Sequence, residues 1–441
     1  MRLRSYLLPA AIIILSLILR LYALEKRASF DFDQETAAWW VKNLIVDHKF
    51  SLIGQEISTG GVFVGPFYFY LLAPFYLLTN LYPLGGNLFV ALIALATMIA
   101  IYRLAKQVFG ANSAIIAVFL YAVHPGIIRS DLAVAPSNLV AFLSATTAYL
   151  LTKPKRSFID FALLGTILGL TFSVHPTATL LLPICLAYYL FTKQKFDLKK
   201  ALLVILPVFL LVSPLVLFEL RHNFLMVHNA LTTLASGRND PLSMINLLLV
   251  YWAGTLVSND NVLVKIPLFL LAIWVFFKAR GPILKLWILT PLLAAVLYSR
   301  HVPEYYFLLT LPVTLVYTIG FLLKGRTKRV LLVTIILASV FLGVVAGLSP
   351  GNQLGLYYKN EAVKYIVKEA AGRPFTVYYS NEPGEAFGFD YLFWWHKAVP
   401  VDKMPKKFLI VVPISSRIYN PSVDFGRIKV VILPEDQEKS E

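Results

Sequence analysis

Residues 6–35 read YLLPAAIIILSLILRLYALEKRASFDFDQE. The run from Tyr6 to Leu24 is long and apolar enough to cross a hydrocarbon core of about 30 Å. No small-residue cleavage site follows it, so it reads as a retained first span rather than a signal peptide. Directly after it, Asp31, Asp33 and Glu35 put three carboxylates within five residues, beside Phe30 and Phe32. Working outward, apolar runs of about 20 residues recur as far as Gly347. With 58% hydrophobic and 15% charged residues and a mean hydropathy of +0.71, the chain is expected to be an all-α polytopic membrane protein.

The formal charge is +16, which in a soluble protein would suggest nucleic acid. Here the segment from Asn352 to Glu441 is nearly neutral, so the surplus lies in short connectors and reads as a topology signal. The basic clusters are Arg2 with Arg4, Arg103 with Lys106, Lys153 to Arg156, Lys193 to Lys200, Lys278 to Lys285, and Lys324 to Arg329. All share one side if spans run at about 6–24, 86–102, 112–128, 136–152, 158–174, 176–192, 201–218, 262–277, 284–299, 303–323 and 330–348. The expectation is a multi-pass plasma (inner) membrane protein of about 11 to 13 helices, N-terminus cytoplasmic and C-terminus outside. Cys185 is the single cysteine, so no intramolecular disulfide forms. No long-period repeat, Walker loop or paired CxxC motif is present.

Two more apolar stretches, Pro66 to Leu78 and Leu242 to Val257, would invert the later loops if both crossed, so they are expected to lie on the outer side. Phe67, Tyr68, Phe69, Tyr70, Phe75 and Tyr76 suit an aromatic belt at headgroup depth; the second stretch carries Tyr251 and Trp252. A pair of extra spans is the alternative. The expected division is a membrane domain, 1–348, with functional outer loops at 25–85, 129–135, 219–261 and 300–303, followed by a small extracytoplasmic α/β domain, 349–441. The latter shows a helical stretch from Asn360 to Ala370 and β-like runs at Phe375 to Tyr379, Phe408 to Val412 and Ile428 to Leu433. Its aromatic segment Phe389 to Trp395 reads first as core, second as a lipid or saccharide contact.

The outer loops concentrate ionisable residues. Carboxylates at Asp31, Asp33 and Glu35 are costly to desolvate unless a charged or hydroxylic group meets them, and one of them is placed to act as a general base. The plainer reading is a solvated turn in which Asp33 caps a helix from Thr36 to Val46. Arg129 and Asp131, His175, Glu219 with Arg221 and His222, and Arg300 with His301 and Glu304 each follow an odd-numbered span. Singly these are a local ion pair, a hydrogen-bonded histidine and snorkelling cations. Together they suit an anionic lipid headgroup and a proton-accepting step.

The acidic group after the first span, the stretch Pro66-Phe67-Tyr68-Phe69-Tyr70-Leu71-Leu72 and the later Arg300-His301-Val302-Pro303-Glu304-Tyr305-Tyr306 resemble the C-type (GT-C) membrane glycosyltransferases. The similarity is greatest to the protein O-mannosyltransferase and aminoarabinose transferase group, and covers roughly Met1 to Leu348. It implies transfer of a sugar, with inversion, from a polyprenyl-phosphate donor to a hydroxyl on a glycan, lipid or protein acceptor at the outer face. By that resemblance Asp33 is the base, with Asp31 and Glu35 as companions, because Gln34 stands where the family has a second acid. Arg221, His222, Arg300 and His301 would meet the donor phosphate, and Asp131, His175, Tyr68, Tyr70 and Glu304 would line the substrate site. No cofactor is required; Asp33 and Asp131 could hold a divalent cation such as Mg or Mn. The rival reading is a flippase for lipid-linked sugars, which also needs many spans and cationic residues.

Overall fold

The computed structural model describes residues 2–57, 60–194, 197–235, 262–298, 308–381, 386–412 and 422–434. The first part is helical: α1 (Arg2–Leu21), α2 (Leu24–Arg27), α3 (Phe32–Ile45), α4 (Phe67–Leu78), α5 (Leu84–Phe109), α6 (Ala111–Ala122), α7 (Pro125–Ser130), α8 (Val140–Thr152) and α9 (Phe158–Leu170). It continues through α10 (Leu181–Phe191), α11 (Leu198–Arg221), α12 (Leu225–Ala235), α13 (Val262–Lys278), α14 (Ile283–Tyr298), α15 (Leu311–Leu322) and α16 (Arg326–Leu348). Each expected apolar span coincides with one of these helices, although the start of the 303–323 span falls outside the described residues. In hydrocarbon a backbone must satisfy its own polar groups, and a helix does so within one segment. Leu84–Phe109, Leu198–Arg221 and Lys328–Leu348 are long and apolar enough to cross a membrane alone, and the other apolar helices are shorter.

Close backbone approach sets part of the packing. Gly165 and Gly169 form a GxxxG pair on α9, and a Cβ at either would collide with α11 at Val204 or Leu211. Small residues at this spacing let two membrane helices meet backbone to backbone.

The stretch Pro66 to Leu78 forms one helix, α4, of 12 residues. At 1.5 Å per residue it is about 18 Å long, the same length as α6 and α15. The expected aromatic belt is corrected: Tyr68, Phe69 and Tyr76 are fully enclosed, while Leu71, Leu77 and Leu78 face outward. Contacts with Trp40 and Phe89 draw these rings into the protein. The second stretch, Leu242 to Val257, lies outside the described residues.

The C-terminal part holds α17 (Leu356–Ala370), β1 (Phe375–Asn381), α18 (Phe389–Trp395), β2 (Lys406–Val412), β3 (Ser422–Phe425) and β4 (Ile428–Leu433). The sheet order is β1-β2-β4-β3. β1 and β2 are parallel with Phe375 opposite Lys406, so α18 serves as the crossover. β3 and β4 form a hairpin closed by Gly426, whose φ of 60° suits the tight turn. The expected strands are present; β3 was not foreseen, its four residues being too few to show alternation. Phe389, Tyr391, Leu392 and Phe393 are buried, so the aromatic segment packs as core.

Candidate functional site

Two buried guanidinium groups organise the bundle end at which α1 stops. Arg20 donates to Asp131 Oδ2 (2.8 Å), Ser16 Oγ (2.9 Å) and Ala122 O (2.9 Å). Arg27 donates to Leu19 O (3.1 Å), Tyr22 O (3.0 Å) and Ala346 O (3.1 Å). Leu19, Ala122 and Ala346 lie at or near the C-terminal ends of α1, α6 and α16, where unpaired carbonyls carry partial negative charge. The two arginines therefore gather three helix ends into one platform.

On that platform the segment from Ala28 to Glu35 is held from several directions. Ser29 N–H donates to Leu132 O (3.1 Å) and Leu356 N–H to Ala28 O (3.0 Å). The helix α3 begins at Phe32, earlier than the expected Thr36, and Asp31 rather than Asp33 is its N-cap. The cause is Gln34, whose side chain accepts the Asp31 N–H (3.0 Å) and donates to Val134 O (3.0 Å). Lys359, fully buried on α17, donates from Nζ to Asp31 Oδ1 (2.7 Å), Phe30 O (2.9 Å) and Phe387 O (2.7 Å). Glu35 accepts from the N–H groups of Gly388 (2.7 Å) and Tyr391 (2.8 Å), so its carboxylate caps α18. Burial raises the Glu35 carboxyl, against the pull of those two N–H groups.

Four carboxylates expected to carry chemistry thus separate by environment. Asp31 is paired with Lys359, Glu35 with a helix N-terminus, and Asp131 with Arg20 rather than with its neighbour Arg129. Burial pushes Asp131 up to about 6, with Arg20 opposing the rise. Asp33 alone among these four faces solvent with a neutral partner, Gln55 Nε2 at 3.2 Å. Although accessible, its carboxylate is crowded by the surrounding loops, and that partial desolvation raises it. The Gln55 hydrogen bond opposes the rise and the charge of Asp31 adds to it.

Gln55 is presented by a hairpin in which Gly54 N–H donates to Val64 O (2.7 Å) and Val64 N–H to Gln55 O (3.0 Å). Gly65 then donates to Phe172 O (2.8 Å), and a Cβ at Gly65 would strike Ser173. Burial, with the nearby Tyr76 and Asp33, holds the Tyr68 phenol well above its ordinary range, so it stays neutral. Gln55 Oε1, Tyr68 Oη and Ser173 Oγ are buried without a hydrogen-bond partner among the described residues. Each such atom costs about 1–3 kcal/mol unless something polar meets it.

The remaining expected residues are placed as follows. Tyr70 Oη donates to Ser51 O (2.9 Å) and its ring meets Trp40 edge-on. His175 caps the turn after Ser173, its Nδ1 accepting from Thr177 N–H (3.3 Å). Arg221 and His222 are exposed at the end of α11. His222 stacks on Phe218 (4.1 Å), which meets Phe63 of the hairpin (5.8 Å), so Arg221 and His222 adjoin the element that carries Gln55. Arg300, His301 and Glu304 lie outside the described residues. Among the described residues no three His, Cys, Asp or Glu side chains gather as a metal site.

Lys359, Gln55 and Ser173 were missed from the sequence. For Lys359 a signal existed: it recurs at helical spacing with Leu356, Val363 and Ile366 on the apolar face of α17, where a cation is out of place. Gln55 and Ser173 carried none, since only the folded hairpin brings Gln55 to Asp33 and Gly65 to Ser173.

The family model for dolichyl-phosphate-mannose-protein mannosyltransferase matches residues 64–218. No curated protein matches the chain by sequence. ArnT from Cupriavidus metallidurans, solved bound to undecaprenyl phosphate, superposes with a TM-score of 0.64 at 12% identity, covering 97% of each chain. The Archaeoglobus fulgidus oligosaccharyltransferase, solved with Zn and sulfate, gives 0.52 at 14% identity over 89% of this chain and 61% of its own. Its form with an inhibitory peptide and a dolichol-phosphate, named AglB, gives 0.52 over 89% and 63%. The chain therefore has the fold of the C-type (GT-C) membrane glycosyltransferases, and its likeness is to their mannosyltransferase and ArnT type.

Proposed function

We propose that this protein is a membrane glycosyltransferase that moves a sugar from a polyprenyl-phosphate carrier to a hydroxyl acceptor at the Asp33 end of the bundle. The observation that carries the reading is the accessible Asp33 carboxylate held only by Gln55, whose own Oε1, like the nearby Tyr68 Oη, is buried without a hydrogen-bond partner among the described residues. The lipid phosphates bound in the ArnT and AglB structures support the donor class. Asp33 takes the proton of the acceptor hydroxyl. The oxygen forms the new glycosidic bond from the face opposite the carrier, the bond to the carrier phosphate breaks, and the configuration inverts. Arg221 with His222, and Arg300 with His301, are proposed to meet the charge left on that phosphate, a guanidinium fork suiting two phosphate oxygens. Tyr68, Tyr70 and His175 line the approach to Asp33. Glu35, Asp31 and Asp131 hold the loops in place through the contacts above. Asp131 is held by Arg20, so a Mg or Mn ion at Asp33 would need partners other than Asp131.

By charge distribution this end lies outside the plasma membrane, with residues 349–441 as an extracytoplasmic domain and the basic connectors in the cytoplasm. The test is a reconstituted assay with a panel of polyprenyl-phosphate sugars and hydroxyl acceptors, following donor consumption by mass spectrometry. We expect sugar transfer, and a loss of about 10²–10⁴-fold in Asp33→Asn with normal insertion. Unchanged transfer in Asp33→Asn would remove the base. Donor crossing vesicles without any acceptor glycosylation would favour a flippase.

A further inference from the structure

The basic end of the bundle holds a cavity that the reaction above does not use. Its volume is about 800 Å³, and it opens between α1, the α5–α6 corner and the α15–α16 corner. Asn87 and Phe109 mark the two ends of α5, so at 1.5 Å per residue the cavity lies about 30 Å from the Asp33 platform. The floor is apolar, with Val108, Ile115, Ile116 and Leu323; the rim carries Lys324 and Arg329 beside Asn112 and Ser113. No carboxylate lines it.

The packing fixes this arrangement. Phe109 fills the gap left by Gly320, where a Cβ would overlap its ring, and meets Tyr317 edge-on at 5.2 Å. The Lys324 ammonium lies 5.8 Å from the centre of the Phe109 ring. Arg329 donates its Nε to Leu323 O (3.2 Å), which anchors the guanidinium at the mouth. Lys328, by contrast, is turned away onto the rings of Phe321 (3.8 Å) and Trp274 (4.9 Å). Two cations therefore overhang an apolar floor on the face where the connectors are basic.

We infer that this cavity binds one anionic glycerophospholipid of the adjoining leaflet, its phosphate under Lys324 and Arg329 and an acyl chain on Ile115, Ile116 and Leu323. A free phosphate would leave the apolar floor wet, and a zwitterionic headgroup would bring its own cation to Lys324 and Arg329. The lipid satisfies both parts at once. The inference depends on membrane embedding and not on glycosyl transfer, so either can fail alone.

The test is native mass spectrometry of the full chain in mild detergent, with phosphatidylglycerol or phosphatidylcholine of identical chains. One phosphatidylglycerol should remain bound under conditions that strip phosphatidylcholine. The pair Lys324→Ala, Arg329→Ala should weaken its retention by about tenfold to thirtyfold. Lys199→Ala with Lys200→Ala removes equal charge from the same end outside the cavity and should leave retention unchanged. Ile116→Trp fills the floor with both cations intact and should also expel the lipid. Equal loss in the two charge-removing pairs would reduce the effect to diffuse attraction and overturn the site. So would retention unaffected by Ile116→Trp, or displacement by millimolar inorganic phosphate, either of which marks a headgroup site alone. Melting curves for each variant separate lost binding from lost fold.

Discussion

The two ends of the helical bundle hold their charges in opposite ways. At the Asp33 end the partners are remote in sequence: 111 residues separate Arg20 from Asp131, 328 separate Lys359 from Asp31, and 353 separate Glu35 from Gly388. The cations there are buried, at 3% and 0% exposure for Arg20 and Lys359. At the basic end the pairs are local: Lys153 meets Asp160 seven residues on, and Lys200 meets Asp197 at a spacing of three. Asp160 is covered mainly by its own neighbours Lys153 and Ser157. Lys200, Lys324 and Lys328 rest on aromatic rings. Remote pairs with a buried cation fix loops against one another, whereas local pairs tie together neighbouring turns. The Asp33 end is thus cross-braced, and the braces engage Asp31, Glu35 and Asp131 but not Asp33.

The contrast can be broken by removing braces at each end. Lys359→Met leaves Asp31, Phe30 O and Phe387 O without their shared donor; we expect a loss of about 3 kcal/mol, read as a fall in melting temperature with transfer activity. A melting temperature within a degree of wild type would show that the brace carries no load. Glu35→Gln keeps one acceptor for the N-terminus of α18 but sets an amide group against the second N–H. The expected cost is about 1–2 kcal/mol, measurable by denaturant midpoint. Gln55→Leu sharpens the picture at the site. Gln55 favours the ionised form of Asp33, so its removal should raise that carboxyl further and move the acid limb of the pH–rate profile upward. A limb that stays put, or moves down, would dissociate Asp33 from the profile. Smallest is Lys153→Ala at the basic end, where we expect about 1 kcal/mol or less and unchanged transfer.

The reach of the sequence follows the same division. The first span, the positions of the later helices and three of the four strands could be read directly, because apolar period and run length are local properties. The resemblance carried by Asp33 and the Pro66 stretch led to the observed fold. The fate of Tyr68 was misjudged: an aromatic run looks alike whether it meets lipid headgroups or, as here, packs against Trp40 and Phe89 through neighbouring rings. The start of α3 moved because a single side chain, Gln34, closed the turn early.

What the sequence alone determined is the membrane class and the gathering of basic connectors at one end, since the bilayer acts on every segment separately. Only the tertiary structure decided which of Asp31, Asp33, Glu35 and Asp131 remains available. Their neighbours Lys359, Arg20 and Gly388 come from distant parts of the chain, and no local pattern records which carboxylate each will reach.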